Sequence, residues 1–133
     1  MGITKDKFCD DSIHSRLSVV VFRFVSTMAA KQFVDELLKT KKVVVFAKSN
    51  CPYCAKARGA LESQHLKPGA MEWVDIEDRV DCNEIQDYLQ GISGARTVPR
   101  VFIGKYFFGG ADETVAAAKN GRLAQRLKEV DAI

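Results

Sequence analysis

The sequence has few of the features that mark secreted, membrane-spanning or nucleic-acid-binding proteins. No apolar stretch reaches the ~18 residues that a helix needs to cross a bilayer, so no membrane is expected as a partner. There is no run of Lys and Arg, and the 133-residue chain has a net charge of only +3, so no nucleic acid is expected as a partner. No Asn-x-Ser/Thr glycosylation acceptor is present. The length and the 47% hydrophobic content predict one soluble globular domain with a sizeable core.

Cysteine is also scarce, with four in the chain: Cys9, Cys51, Cys54 and Cys82. An even number permits a disulfide framework, but a chain that can build a real core does not need one. We therefore expect a reducing compartment, the cytoplasm, in which a cysteine pair is catalytic or binds a metal.

Residues 1–27 differ from the rest of the chain. A polar start is followed by "LSVVVFRFVSTMAA", whose apolar run is broken by Arg23 and is marginal for a signal peptide. Three aspartates before residue 12 are atypical of a mitochondrial presequence, and Met28 resembles a natural start. We predict an extension over 1–27 that is disordered or targeting-related, with an extra strand as an alternative, and a folded domain over 28–133. If the extension is a targeting segment, the location becomes mitochondrial or that of another organelle.

Helical and strand patterns alternate along this domain. An amphipathic helix is predicted over 29–40, then the buried strand "KVVVFA", a helix beginning at Pro52, the strand "MEWVDIE" and the helix "DCNEIQDYLQGI". A hairpin, "RVFIGKYFFGG", and the helices "DETVAAAKN" and "RLAQRLKEV" complete the order. Strands linked by helices pair in parallel and a hairpin pairs antiparallel. The pattern therefore predicts an α/β fold, a small mixed sheet with helices on both faces.

The stretch "SNCPYCAK" places two cysteines where the buried strand gives way to a helix. At that junction the free N–H groups and the helix dipole favour a thiolate at Cys51, and the thiolate is the form that attacks disulfides. Lys48, Lys56 and Arg58 are candidates to add positive potential. Cys54 lies on the same helical face, within ~5–6 Å at Cβ, which suits disulfide closure.

Two other interpretations of this cysteine pair are a zinc site and ordinary core packing. A Cys-x-x-Cys motif can be half of a zinc site, which needs two more ligands at workable spacing. The remaining candidates are scattered singly along the chain: Cys9, His14, His65 and Cys82. Two ordinary core cysteines would not need Pro52 and a helix start between them. The pattern favours redox chemistry.

A second signal is "ARTVPRVF", in which Pro99 heads a strand where it cannot donate to the ladder. A cis bond here would press the backbone against the dithiol and present the Val98 N–H and C=O to an extended peptide. The alternative is an ordinary trans proline at a strand start, which base rates favour. The pairing with the Cys-x-x-Cys motif places the cis form above it.

A third signal is "FFGGADETV", where Gly109 and Gly110 allow close backbone approach and a helix N-terminus follows that suits a carboxylate. Asp112 and Glu113 suit a ligand ammonium group, or equally the role of helix caps and first-turn acids.

With "CPYC", "RTVPRVFIG" and "GG" in this order and spacing, the chain resembles the dithiol glutaredoxins of the thioredoxin superfamily from about Met28 to Ile133. The resemblance implies a thioredoxin fold with a four-stranded mixed sheet. It implies an enzyme that uses glutathione as co-substrate, without a metal, to reduce protein–glutathione mixed disulfides and protein disulfides. Glutathione and glutathionylated or disulfide-containing proteins are the expected partners of a monomer.

The resemblance also assigns roles, with Cys51 as the nucleophile and Cys54 as the resolving thiol. Glu113 stands where many relatives carry Asp, and Cys82 is either an accessory thiol or a plain helix-start residue. The glutathione groove implied by the resemblance consists of Lys48, Tyr53, Arg96, Thr97, Val98, Pro99, Gly110, Ala111, Asp112 and Glu113.

Two rival functions remain at the level of sequence. Thioredoxin shares the fold, but its signature places Trp before a Cys-Gly-Pro-Cys, and here Asn50 precedes Cys51. An iron–sulfur carrier is typical of relatives with Gly or Ser after the first cysteine. Pro52 disfavours it because proline stiffens the turn and removes an N–H.

Overall fold

The structure is a computed structural model, and it describes residues 12–133. The helices and strands follow the order predicted for the domain. Their bounds are α1 Ser12–Thr40, β1 Val43–Ala47, α2 Pro52–Glu62, β2 Met71–Asp75, α3 Cys82–Ser93, β3 Arg100–Ile103, β4 Tyr106–Gly109, α4 Ala111–Asn120 and α5 Arg122–Glu129.

The four strands form one mixed sheet in the order β2-β1-β3-β4. β1 pairs parallel with β2 and antiparallel with β3, and β3 pairs antiparallel with β4. All five residues of β1 are buried, because the strand is paired on both edges and covered on both faces. The predicted mixed sheet with helices on both faces is confirmed, and it is the thioredoxin fold.

Alternate residues of β1 point into two separate apolar cores. On one face, Val43 and Val45 pack with residues of α2, α4 and α5, and Cys54 belongs to this group, which we call the thiol-side core. On the other face, Val44 and Phe46 pack with residues of α1 and α3, in what we call the α1-side core. The period of two along a strand produces this division.

Helix α1 is longer than the sequence predicts. The helix expected over 29–40 begins at Ser12, so the expected boundary between 27 and 28 falls inside a continuous helix, and residues 12–27 are helical in the structure. The first part of the predicted extension, residues 1–11, lies outside the described residues, and the targeting role stays a prediction. Among the described helices, none is long and apolar enough to cross a membrane.

The β3–β4 hairpin turns at Gly104 and Lys105, which both have positive φ, 61° and 78°. This backbone matches the twist of the two strands in a tight hairpin. A Cβ at Gly104 would come within 2.7 Å of Val130 Cγ1, so the turn also requires the absence of a side chain.

Candidate active site

The two cysteines lie at the start of α2, where β1 ends. Cys51 is the N-cap of the helix with extended backbone, and Pro52 occupies the first turn. The Cys54 N–H donates a hydrogen bond to Cys51 Sγ at 3.2 Å. Cys51 is half-buried, Cys54 is 2% exposed, and both thiols are free. The structure therefore places one accessible sulfur at a helix N-terminus and a shielded sulfur beside it.

The surroundings of Cys54 oppose ionisation. Burial raises the pKa of the Cys54 thiol to about 12, and its hydrogen bond with Cys51 and the negative charges of Cys51 and Asp75 act in the same direction. A backbone hydrogen bond from Lys48 acts the other way but does not compensate. At neutral pH the shielded sulfur is therefore a thiol.

The loop before Cys51 is fastened to the end of β2. Ser49 Oγ donates to Asp75 Oδ2 at 2.5 Å, and the Glu77 N–H donates to Asp75 Oδ1 at 3.0 Å. The hydrogen bond from Ser49 and, after it, the one from Glu77 lower the pKa of Asp75 below its usual value. The Asp75 carboxylate therefore fixes the loop that leads into the dithiol. Its position in the sequence, 24 residues after Cys51, did not indicate this contact.

The Val98–Pro99 peptide bond is cis, the form expected from the sequence, and Pro99 is buried. Val98 is half-buried and packs against both cores, and Cys51 packs against the thiol-side core as well. The cis-proline segment and the dithiol therefore border the same core.

Arg100 links the cis-proline segment to strand β4. The sequence did not indicate it as a site residue. Its Nε donates to the Pro99 carbonyl at 3.2 Å and its Nη2 donates to Thr97 Oγ1 at 3.3 Å. The guanidinium lies over the Phe107 ring, 4.9 Å from its centroid. Burial lowers the pKa of Arg100, and the charge of Glu113 opposes this shift. Arg100 acts as a brace between the proline turn and β4.

The Arg96 side chain is directed toward α3. Its guanidinium pairs with Asp87 and donates to Asn83 Oδ1 at 3.3 Å. Gln86 Nε2 donates to the Arg96 carbonyl at 2.9 Å, and Cys82 Sγ donates to Gln86 Oε1 at 3.5 Å. Gln86, which the sequence did not single out, therefore fixes the backbone at Arg96.

At the start of α4, Gly110 is the N-cap. Its N–H donates to Glu113 Oε1 at 2.8 Å, and Thr114 Oγ1 donates to its carbonyl at 2.7 Å. A Cβ at Gly109 would come within 2.6 Å of Glu113 Cβ, so close backbone approach is needed here. Glu113 thus takes the capping role that was one of its two alternatives. Asp112 and Glu113 are both exposed.

The remaining predicted residues near the dithiol in the sequence differ in exposure and in contacts. Lys48 is half-buried, and Tyr53 is 56% exposed with the Lys56 ammonium 5.3 Å from its ring centroid. Arg58, a candidate to add positive potential, lies over Trp73 and pairs with its helix neighbour Glu62. The part of the chain that the structure describes contains no cluster of three or more His, Cys, Asp or Glu residues that could hold a metal ion.

The fold and the dithiol together define a class of protein. A helix-capping cysteine with a buried partner three residues on, beside a cis-proline on a four-stranded mixed sheet, is the arrangement of thioredoxin-fold thiol–disulfide oxidoreductases.

Comparison with known proteins narrows the class. The family model described as Glutaredoxin matches residues 43–108. Glutaredoxin-1 from Oryctolagus cuniculus and from Homo sapiens are each 48% identical to the chain over 104 residues, which cover 78% of this chain and 98% of each relative. The chain belongs to the glutaredoxin family, and it is a glutathione-dependent thiol–disulfide oxidoreductase.

Solved structures agree with this assignment. Oxidized glutaredoxin 2 from Chlamydomonas reinhardtii is 42% identical with a TM-score of 0.74, over 80% of this chain and 98% of that one. The buckwheat glutaredoxin–glutathione complex is 30% identical with a TM-score of 0.74, over 81% and 96% of the two chains.

Proposed function

We propose that the protein reduces protein–glutathione mixed disulfides and protein disulfides, with Cys51 as the nucleophile and Cys54 as the resolving thiol. The observation that carries this assignment is the 3.2 Å hydrogen bond from the Cys54 N–H to Cys51 Sγ. An N–H donor stabilises a thiolate more than a thiol, and burial keeps the Cys54 sulfur out of reach of a large substrate.

In the monothiol route, the Cys51 thiolate attacks the glutathione sulfur of a mixed disulfide. The S–S bond of the substrate breaks, the protein thiolate leaves and takes a proton, and Cys51 becomes glutathionylated. A second glutathione thiolate then attacks the bound glutathione sulfur, which yields oxidised glutathione and restores the Cys51 thiolate. No step of this route uses Cys54.

In the dithiol route, Cys51 attacks a protein disulfide and forms a mixed disulfide with the substrate. Cys54 then loses its proton and attacks Cys51 Sγ, which releases the reduced substrate and leaves a Cys51–Cys54 disulfide. Two glutathione molecules reduce that disulfide in two exchanges and leave as oxidised glutathione.

We place glutathione between the cis-proline turn and the start of α4. Val98 would pair with its backbone, and the α4 N-terminus with exposed Asp112 would receive the γ-glutamyl end. Glu113 already accepts from Gly110, so it supports this end indirectly. Arg96 would share its charge between Asp87 and the glycine carboxylate of the ligand. The proposed groove keeps the residues predicted from the sequence: Lys48, Tyr53, Arg96, Thr97, Val98, Pro99, Gly110, Ala111, Asp112 and Glu113.

Location and oligomeric state also belong to the proposal. We place a monomer in a reducing compartment, the cytoplasm, because a chain that can build a real core does not need a disulfide framework. A targeting role of the N-terminal residues would place it in a mitochondrion or another organelle instead.

The experiment is a glutathione-coupled assay with a glutathionylated peptide and with a protein disulfide as substrates. We expect Cys51→Ser to reduce both activities to background, because the only accessible sulfur of the pair is lost. Cys54→Ser should keep deglutathionylation and lose reduction of the protein disulfide. Cys82→Ser is the control, since its sulfur contacts Gln86 and lies outside the dithiol. Equal loss of both activities in Cys51→Ser and Cys54→Ser would contradict the assigned roles.

A further inference from the structure

The outer half of α1 presents an uncovered apolar stripe. Val21, Phe24, Val25 and Met28 are 57%, 65%, 56% and 44% exposed. Their spacing of three, four and seven residues places them on one side of a helix with 3.6 residues per turn. Apolar side chains exposed singly are ordinary on protein surfaces, but four aligned on one helical face form a continuous patch.

The stripe faces away from the folded domain. The residues of α1 that enter the α1-side core are Ala30, Val34 and Leu38. At 100° per residue the centre of this core-facing set lies roughly 130° around the helix from the centre of the stripe. The folded domain therefore does not prevent a flat surface from contacting the stripe.

The charge along this part of the chain has one sign. Between Ser12 and Val34 the sequence contains Arg16, Arg23 and Lys31 and no acidic residue, although three aspartates precede the helix. Arg23 is exposed and lies roughly 150° around the helix from the centre of the stripe. A helix with an apolar face and a basic opposite face is the pattern that lies in the interface of a membrane with anionic lipids.

We propose that the stripe of Val21, Phe24, Val25 and Met28 docks on an anionic phospholipid surface, with α1 parallel to the surface and the domain on its far side. The sequence-based expectation of no membrane partner depended on the lack of a spanning segment, and surface docking does not require one. A second copy of the chain fits less well, because four side chains over two turns fall far short of the ~800 Å² per partner that a stable interface buries.

The test uses the full chain and sedimentation with lipid vesicles. We expect binding to vesicles that contain phosphatidylserine, weaker binding to phosphatidylcholine alone, and release as salt is raised. Phe24→Ser should lower the partition coefficient about tenfold. Arg23→Gln should lower it about fivefold.

Two matched variants serve as controls on the globular part. Tyr106→Ser removes an aromatic side chain that is 71% exposed on β4, and Lys119→Gln removes an exposed charge near the end of α4. Both should bind vesicles as the unaltered chain does. Circular dichroism confirms that each variant remains folded.

Several results would overturn the proposal. One is no binding to either kind of vesicle, and another is an equal loss of binding in Tyr106→Ser and Phe24→Ser. A third is lipid-independent dimerisation in sedimentation velocity that Phe24→Ser abolishes, which would assign the stripe to a second copy of the chain. The readout does not involve the thiols, so it is independent of the proposed catalytic roles.

Discussion

Cys51 and Cys54 lie in different surroundings, and this difference suits the order in which the two thiols act in the proposed dithiol route. Part of what raises the pKa of Cys54 to about 12 is the hydrogen bond with Cys51 and the negative charge of Cys51. Both causes disappear once Cys51 enters a mixed disulfide. Cys54 therefore becomes easier to deprotonate at the stage when its thiolate is needed.

This argument predicts how the two thiols react with iodoacetamide in the reduced protein. At about pH 7 we expect alkylation at Cys51 and almost none at Cys54, because a thiol with a pKa of about 12 has a negligible thiolate fraction there. In Cys51→Ala, Cys54 should begin to react at lower pH than in the unaltered chain. Peptide mass spectrometry assigns the modified residue.

The alkylation experiment is best made in a Cys82→Ser background, which removes another half-buried thiol. Unfolding in denaturant is the positive control, since it should make Cys54 reactive. Alkylation of Cys54 as fast as that of Cys51 in the folded protein would show that burial does not protect it.

Two glycine positions differ in whether the structure has room for a side chain. Gly59 lies inside α2, where an added Cβ meets nothing within 4 Å, whereas a Cβ at Gly109 would come within 2.6 Å of Glu113 Cβ. The β4–α4 junction therefore needs its glycine for packing, and the middle of α2 does not.

We expect Gly59→Ala to raise the free energy of unfolding by about 0.5–1 kcal/mol, since alanine has the higher helix propensity. Gly109→Ala should lower it by about 1–3 kcal/mol, because Glu113 must move and its hydrogen bond with Gly110 is disturbed. Urea denaturation measures both. A Gly109→Ala variant as stable as the unaltered chain would show that the junction relaxes without cost.

Element boundaries follow from the sequence wherever a local signal marks them. The apolar run before Cys51, the proline at the first turn of α2 and the hairpin glycine each have a direct structural meaning. The early start of α1 has no such signal. "SVVVF" is rich in β-branched residues, which favour strands, and no proline or glycine separates it from the helix predicted over 29–40.

In the candidate site, too, only features marked by a local sequence motif could be predicted. The helix N-terminus and the cis-proline turn were predictable because their motifs are contiguous. The supports of Asp75, Gln86 and Arg100 depend on hydrogen bonds between segments that only the fold brings together. The choice of Glu113 rather than Asp112 as the residue that accepts from the Gly110 N–H also needed the side-chain positions.

Across the molecule, exposed ion pairs connect distant parts of the chain. Asp131 pairs with Lys67 at 2.6 Å and with Lys42 at 3.5 Å, which ties the C-terminal end to the loop before β2 and to the start of β1. The hydrogen bond from Lys67, and then the charges of Lys67 and Lys42, lower the pKa of Asp131.

A carboxyl group with a lowered folded-state pKa stabilises the fold above its unfolded pKa and loses that effect as pH falls through the folded value. We therefore expect the thermal midpoint to decrease below about pH 4 and the decrease to be smaller in Asp131→Asn. Asp78→Asn, in the loop after β2, is the matched control and should keep the acid sensitivity. An unchanged pH profile in Asp131→Asn would mean that the pairs with Lys67 and Lys42 contribute nothing measurable.

The alternation of β1 between two cores has an evolutionary consequence. Substitutions that reshape the thiol-side core, and with it the surface near the dithiol, reach the α1-side core through the backbone of the sheet and through Val98, which packs against both cores. The thiol-side core can therefore change during evolution to suit new substrates, while the α1-side core continues to stabilise the fold.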